Sequence, residues 1–201
     1  FLSDAHGRDH VTRIELASDE AGNFLALRTE TLANMGAYLS NFATATPTFL
    51  HGTLMAGPYK TPLVYVNVKA VFTNTAPVDA YRGAGRPEAT YSLERVVDKM
   101  CRERGLDPVA VRRMNLLTPD QFPYTTPVGL VYDTGNYQAT LDKLIDLGDL
   151  AGFEARAAER AASNPATWSA TKPRATAPQS AMATKSALNR AASAPGATAR
   201  C

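Results

Sequence analysis

The sequence predicts an α+β fold, and three observations predict it. Residues 10–18 and 24–32 are strand-like runs on either side of turn chemistry, residues 63–75 alternate with period two, and from Pro87 onward apolar side chains recur at helical spacing. Strands come first and amphipathic helices follow, the order of segregated elements. A chain of 201 residues is long enough to build one core of its own.

The first element expected is a β-hairpin. HVTRIELAS (10–18) sets Val11, Ile14 and Leu16 among charged neighbours, Asp19-Glu20-Ala21-Gly22-Asn23 is a turn, and the return strand opens with Phe24, Leu25 and Leu27. Residues 35–62 hold Gly36, Pro47, Gly52, Gly57, Pro58 and Pro62 and keep no period. LVYVNVKAVFTNT (63–75) then alternates at Val64, Val66 and Val68, the plainest strand in the chain. Pro87 suits the first position of a helix, Glu88 its first turn, and Leu93, Val96, Val97 and Met100 its apolar face, with Gly105 as the stop. Asp107 caps a second helix with Pro108 at its first position and Val111, Met114 and Leu117 turned inward. A loop rich in Thr and Pro leads to a short strand at 128–132. Asp133-Thr134-Gly135-Asn136 reads as a turn and cap for a helix from Tyr137 with Leu141, Leu144, Ile145 and Leu147, and 150–160 as a fourth helix.

Composition changes near residue 160. No Asp or Glu follows, while six basic residues do, so residues 1–159 carry 15 basic against 19 acidic side chains and the whole-chain charge of +2 belongs to the tail. Its only large apolar side chains are Trp168, Met182 and Leu188. Such a segment buries too little to offset its ordering entropy, which predicts a disordered tail over 160–201. The alternative is a stretch read out of frame: shifted by one base, codons permitted by 179–184 can encode Ile-Gly-Tyr-Gly-Asn, a strand-like string. A scattered basic tail poor in aromatics is no nucleic-acid footprint.

Other classes fall away. Cys101 and Cys201 stand a hundred residues apart, neither a disulfide framework nor a metal spacing, and favour a reducing, cytoplasmic compartment. No window approaches the roughly 18 apolar residues of a membrane span. His6, His10 and His51 form no i, i+4 pair with a third ligand, so no metal site is expected. Cys101 is expected half-buried, and Tyr59, Tyr65 and Tyr81 as packing residues. The chain opens Phe1-Leu2-Ser3-Asp4, without Met, and is expected to be interior to a longer protein.

The densest chemistry lies in Ala80-Tyr81-Arg82-Gly83-Ala84-Gly85-Arg86-Pro87-Glu88-Ala89. Glycines 83 and 85 permit positive φ and close approach of a ligand to the backbone, and the amides opening the next helix favour an anion. Arg82 and Arg86 add forked donors for oxyanions, so a phosphate-bearing cofactor is the obvious ligand. From the residues alone, a plain glycine turn with two solvated arginines stays equally open. G-A-G-x-x-x-A is a poor dinucleotide fingerprint, since Pro77 and Asp79 separate it from the strand and Ala89 is out of register.

GPYKTPLVYVNVKAVFTNTAPVDAYRGAGRPEATYSLERVVDKMCRERGLDPVAVRRMNLL (57–117), with LRTETLANMGAYLS before it and VYDTGNYQATLDK after it, resembles the molybdenum-cofactor-binding large subunit of the xanthine dehydrogenase and aerobic carbon monoxide dehydrogenase family. The resemblance covers roughly residues 1–159 and implies part of a larger molybdopterin-binding domain. It implies that Arg82, Gly83, Ala84, Gly85 and Arg86 touch the molybdenum cofactor. Carbon monoxide dehydrogenases of this family carry a copper-holding Cys where Gly83 stands, and glycine has no thiolate, so no copper is expected. The substrate-binding arginine of xanthine oxidoreductases, upstream of Tyr59-Lys60-Thr61-Pro62, is replaced by Leu50 beside His51. An aldehyde or N-heterocycle is then the implied small-molecule substrate, hydroxylated with water as oxygen source.

The family's general base is a glutamate with no matching segment in this chain, so no catalytic residue is assigned. Glu88 is read as a first-turn helix acid. Iron–sulfur and flavin subunits are the implied partners. The chain is thus expected to be an internal fragment, inactive by itself. The alternative is a non-catalytic anion-binding or subunit-interaction domain.

Overall fold

The computed structural model describes residues 4–163 and 196–200, and it is α+β. The chain divides into two units, Phe1–Tyr137 with Ala194–Cys201, and Gln138–Ser193.

In the first unit, β1 (His10–Ser18) and β2 (Phe24–Asn34) form the expected antiparallel hairpin. Its turn closes on Asp19, whose Oδ1 accepts from the amides of Gly22 and Asn23 at 2.9 and 2.8 Å. Register aligns Thr12 with Thr31, Ile14 with Thr29 and Leu16 with Leu27, so one face of both strands is buried. Val11 sits on the other face and is exposed, contrary to its expected place beside Ile14 and Leu16, because an odd offset along a strand reverses direction. Leu25 is exposed because the register shift at Ala17/Ser18 leaves it unpaired as the extra residue, and the same shift turns Phe24 inward.

β3 (Leu63–Val71) is shorter than the run of alternation and pairs parallel to β2. Parallel pairing requires a crossover, and the aperiodic 35–62 supplies it, with a wide helical turn Thr46–Leu50 tightening into the single-turn helix α1 (His51–Thr53). Sheet order is β3-β2-β1-β6, where β6 (Gly196–Arg200) runs antiparallel along β1. No strand was expected at 196–200; the other tail residues, and with them the questions of disorder and reading frame, lie outside the described residues.

α2 (Arg86–Arg104) packs across β1 and buries Ala89, Ser92, Leu93, Val96, Val97, Met100 and Cys101. It starts one residue before Pro87 and stops at Gly105, whose φ of 66° is left-handed. Each fully buried aliphatic side chain here contributes about 2 kcal/mol. Cys101 is fully buried, not half-buried, because the helix rotates both Val97 and Cys101 onto its core face, and burial pushes its thiol pKa up. α3 (Pro108–Asn115) begins under the Asp107 cap, whose carboxylate accepts from the Val109 amide at 3.0 Å. Beyond it lie β4 (Tyr124–Thr125) and β5 (Val131–Tyr132), the latter two residues where five were expected.

In the second unit the described residues form α4 (Tyr137–Gly148) and α5 (Phe153–Ser163), joined at Asp149, whose carboxylate receives Arg156. The expected apolar set of α4 is on the helix but none of it is buried, and Leu147 is 74% exposed.

Candidate functional site

The loop ahead of α2 is built by its glycines. Gly83 and Gly85 take φ of 92° and 83°, and the turn closes through Ala84 N to Tyr81 O at 2.8 Å, Arg86 N to Gly83 O at 3.0 Å and Ala89 N to Gly85 O at 3.1 Å. The amides of Gly83 and Gly85 take no part in these bonds. Gly85 lies against the crossover: a Cβ there would meet Leu50 C and His51 N, both at 2.6 Å. Leu50 is therefore brought directly beneath the loop.

Arg82 and Arg86 are both exposed, and neither guanidinium holds a hydrogen bond or ion pair among the described residues. Gly83 and Ala84 are part-exposed between them, and Gly85 is buried. The five predicted residues are thus contiguous on one turn, with two uncommitted cations flanking a backbone free of side-chain bulk. Tyr81 is exposed rather than packed, its ring lying under the Arg8 guanidinium with the centroid 5.2 Å away. Tyr65 is also exposed, on β3, because alternation turns it to the face opposite Val64 and Val66. Only Tyr59 packs as expected, edge-on to Phe24 with ring centroids 5.2 Å apart.

Two further sets of residues had no signal in the sequence. Arg8 donates to Arg82 O at 2.8 Å and pairs with Glu88 at 3.0 Å, a partnership across more than 70 residues that no local pattern announces. His10 and His51 meet edge to face with ring centroids 5.1 Å apart, and His51 Nε2 lies 3.4 Å from Thr31 Oγ1. Burial drives His51 down to about 4, with the neighbouring His10 acting in the same direction. Burial lowers His10 as well, against the opposing pull of Glu88 and Asp9. Both imidazoles are thereby favoured in the neutral form. Among the described residues no three His, Cys, Asp or Glu side chains converge as a metal site would require.

The far end of α2 is a closed polar network. Arg112 donates to Glu94 and Asp98, each at 2.8 Å, and Tyr59 Oη donates to Glu94 at 2.8 Å. Burial opposes the charge of Arg112, yet Asp98 and Glu94 hold its pKa above the usual range; Tyr59 is raised by burial and by Glu94. Asn115 is buried, accepts from Phe24 N at 2.8 Å and donates to Gly22 O and Val111 O at 2.9 and 2.8 Å.

Fold and loop together define an α+β domain that offers an anion a glycine turn flanked by free arginines. The chain belongs to the molybdopterin cofactor-binding domain family, whose model matches residues 1–116. It is 36% identical over 139 residues to the 6-hydroxypseudooxynicotine dehydrogenase complex subunit gamma of Paenarthrobacter nicotinovorans, covering 69% of this chain and 17% of that protein. With the carbon monoxide dehydrogenase large chain of Hydrogenophaga pseudoflava it shares 38% identity over 163 residues, 79% of this chain and 20% of the relative. Among solved structures, quinoline 2-oxidoreductase from Pseudomonas putida 86 superposes with a TM-score of 0.75 at 32% identity, covering 81% of this chain and 21% of that one. The chain therefore spans about a fifth of the length of the relatives it matches.

Proposed function

We propose that Arg82, Gly83, Ala84, Gly85 and Arg86 touch a molybdopterin-type cofactor beside its molybdenum centre, and that the chain is the part of a molybdenum hydroxylase large subunit that carries this loop. The observation that carries the reading is the exposed turn itself, with two left-handed glycines between two guanidinium groups that the fold leaves unpaired. The donor set fits the group: backbone amides and forked cations suit the oxygens of an anionic cofactor.

The cofactor, when bound, supplies the redox chemistry that hydroxylates a carbon with water as oxygen source. The chain's own residues bind and orient. Arg82 and Arg86 neutralise anionic charge, Ala84 keeps the turn low, and Leu50 beneath Gly85 presents an apolar side chain. An apolar residue there suits an aldehyde or an N-heterocycle better than a purine carrying oxygens in need of donors. Gly83 offers no thiolate, so the reading includes no copper. Glu88 is committed to Arg8, and the proton-accepting carboxylate comes from elsewhere in the subunit. Electrons leave through iron–sulfur and flavin subunits in the cytoplasm, a role in keeping with relatives named as a complex subunit and a large chain. In this reading residues 1–159 belong to the cofactor domain, and of the tail 160–201 the strand Gly196–Arg200 joins its sheet.

The test is molybdenum and pterin content of the complete subunit carrying Arg82→Ala and Arg86→Ala. Each substitution is expected to lower retained cofactor about tenfold, the worth of one charge-assisted contact to an anionic group. Unchanged content in the double variant would sink the reading. One observation favours the second reading, a subunit-interaction domain: the apolar edge strand β3 exposes Leu63, Tyr65 and Val71, with Phe72 beyond it. Capture of partner subunits by molybdenum-free chain, with cofactor content indifferent to both arginines, would establish it instead.

A further inference from the structure

We propose that Arg8 is the positioning residue of the glycine loop, holding its two ends at a fixed separation so that the Gly83 and Gly85 amides face the ligand together; the ligand side of this inference rests on the function proposed above.

Apart from the seat of Gly85 on Leu50 and His51, the loop has little to hold it. Its turn bonds are local, both glycines are conformationally permissive, and Tyr81, Arg82 and Arg86 are exposed. Arg8 reaches across it. One guanidinium donates through Nη2 to the carbonyl of Arg82 at 2.8 Å, pairs through Nε with Glu88 at 3.0 Å and lies over the Tyr81 ring. Arg82 precedes Gly83, and Glu88 stands in the first turn of α2 beyond Gly85, so the planar fork ties together the entry and the exit of the turn. A lysine, a point charge on a flexible stem, cannot satisfy both partners with the same geometry.

Arg8 is itself delivered by a fixed backbone. His6 N donates to Pro77 O at 2.8 Å, Asp79 N to His6 O at 2.9 Å, and on the other side Asn34 N to Asp9 O at 3.0 Å. Gly7 lies against Tyr81, where a Cβ would come within 3.1 Å of the tyrosine Cβ. The Glu88 side chain is only 9% exposed, so removing Arg8 leaves a mostly buried carboxylate without its counter-ion at the start of the helix. Arg8 is more open, at 31%, and contributes to global stability only modestly. Its effect is therefore local order of the loop.

Amide hydrogen exchange of the full 201-residue chain, without cofactor, tests this. In Arg8→Ala the amides of Ala84 and Arg86 are expected to exchange about tenfold faster, while those of Val96 and Val97 inside α2 change less than about twofold. Arg8→Lys is expected to fall between, and millimolar ethylguanidinium, too dilute to denature, to restore protection in Arg8→Ala but to do nothing for the wild type. Exchange at 84 and 86 that stays unchanged, or that rises in step with 96 and 97 and ignores ethylguanidinium, overturns the proposal. Should Arg8→Ala fail to fold, Arg8→Lys decides it: wild-type exchange at Ala84 and Arg86 in that variant is equally fatal.

Cofactor content of the complete subunit is read on the same variants. Selective loosening accompanied by lower pterin retention supports the role toward the ligand, and loosening with full retention overturns it. A wild-type subunit that holds no pterin refutes the proposed function alone, since the exchange result is obtained without cofactor.

Discussion

The two ends of α2 use the same residue types for opposite purposes. Both are bounded by a left-handed glycine, Gly85 before the helix and Gly105 after it, and both carry arginines nearby. At the C-terminal end Arg112 is consumed by Glu94 and Asp98, Arg104 by Ser18, and Asn115 closes three hydrogen bonds to the hairpin and α3. At the N-terminal end Arg82 and Arg86 are exposed, with no hydrogen bond or ion pair to their guanidinium groups among the described residues. A cation with a carboxylate partner holds structure; a cation held on a fixed turn without one is available to a ligand. The glycines differ likewise. Gly85 presses on the Leu50–His51 backbone, whereas an added Cβ at Gly105 meets nothing within 4 Å.

The sharpest way to break this contrast is Gly85→Ala. Left-handed strain adds to a clash with backbone that cannot rotate away, and we expect a loss of about 4 kcal/mol in urea unfolding. Gly105→Ala carries the strain alone and is expected to cost about 1 kcal/mol. Equal costs at the two positions would show that the close approach of the loop to Leu50 and His51 does not matter.

The next effect is a pH dependence centred on the N-terminal end. His51 is held near 4 by burial, below its ordinary 6.5, so the unfolded chain binds more protons in between. The resulting stability is complete above about pH 6.5 and is lost as pH falls from there to about 4, an amount of up to about 3 kcal/mol. His10, lowered in the same direction, adds to the slope. His51→Gln should flatten the stability profile across that window, and a profile identical to the wild type would remove His51 as its source.

At the other end, Asn115→Ala leaves the Phe24 amide and two carbonyls without their partner and should cost about 2 to 3 kcal/mol, read from the denaturation midpoint. This loss should not depend on pH between 4 and 7, since no titrating group is removed. The smallest effect on stability is expected from Arg82→Ala and Arg86→Ala, within about 0.5 kcal/mol each. A loss of 2 kcal/mol or more at either would mean that the fold uses the guanidinium after all.

Legibility in the sequence followed the range of the interaction. The hairpin, its Asp19 turn, the glycine stop of α2 and the Asp107 cap of α3 rest on contacts within a few residues, and each is visible as a local pattern. The loop from Arg82 to Arg86 was visible because it is contiguous. Its support was not, since Arg8, Leu50 and His51 arrive from 34 to 74 residues away. The side chains of Val11, Leu25 and Tyr65 were misplaced because hydropathy gives a period and not the face or edge that a strand occupies.

What the sequence determined by itself is the hairpin, the third strand, the succession of helices from α2 and the family resemblance in the glycine loop, because backbone propensity, capping and motif spacing are written in neighbouring residues. Only the tertiary structure decided that β3 pairs parallel to β2, that the crossover between them passes under Gly85, and that Arg104 and Arg112 are bound while Arg82 and Arg86 hold no partner among the described residues. These are matters of which distant groups meet, and charge or polarity along a chain carries no record of its partner.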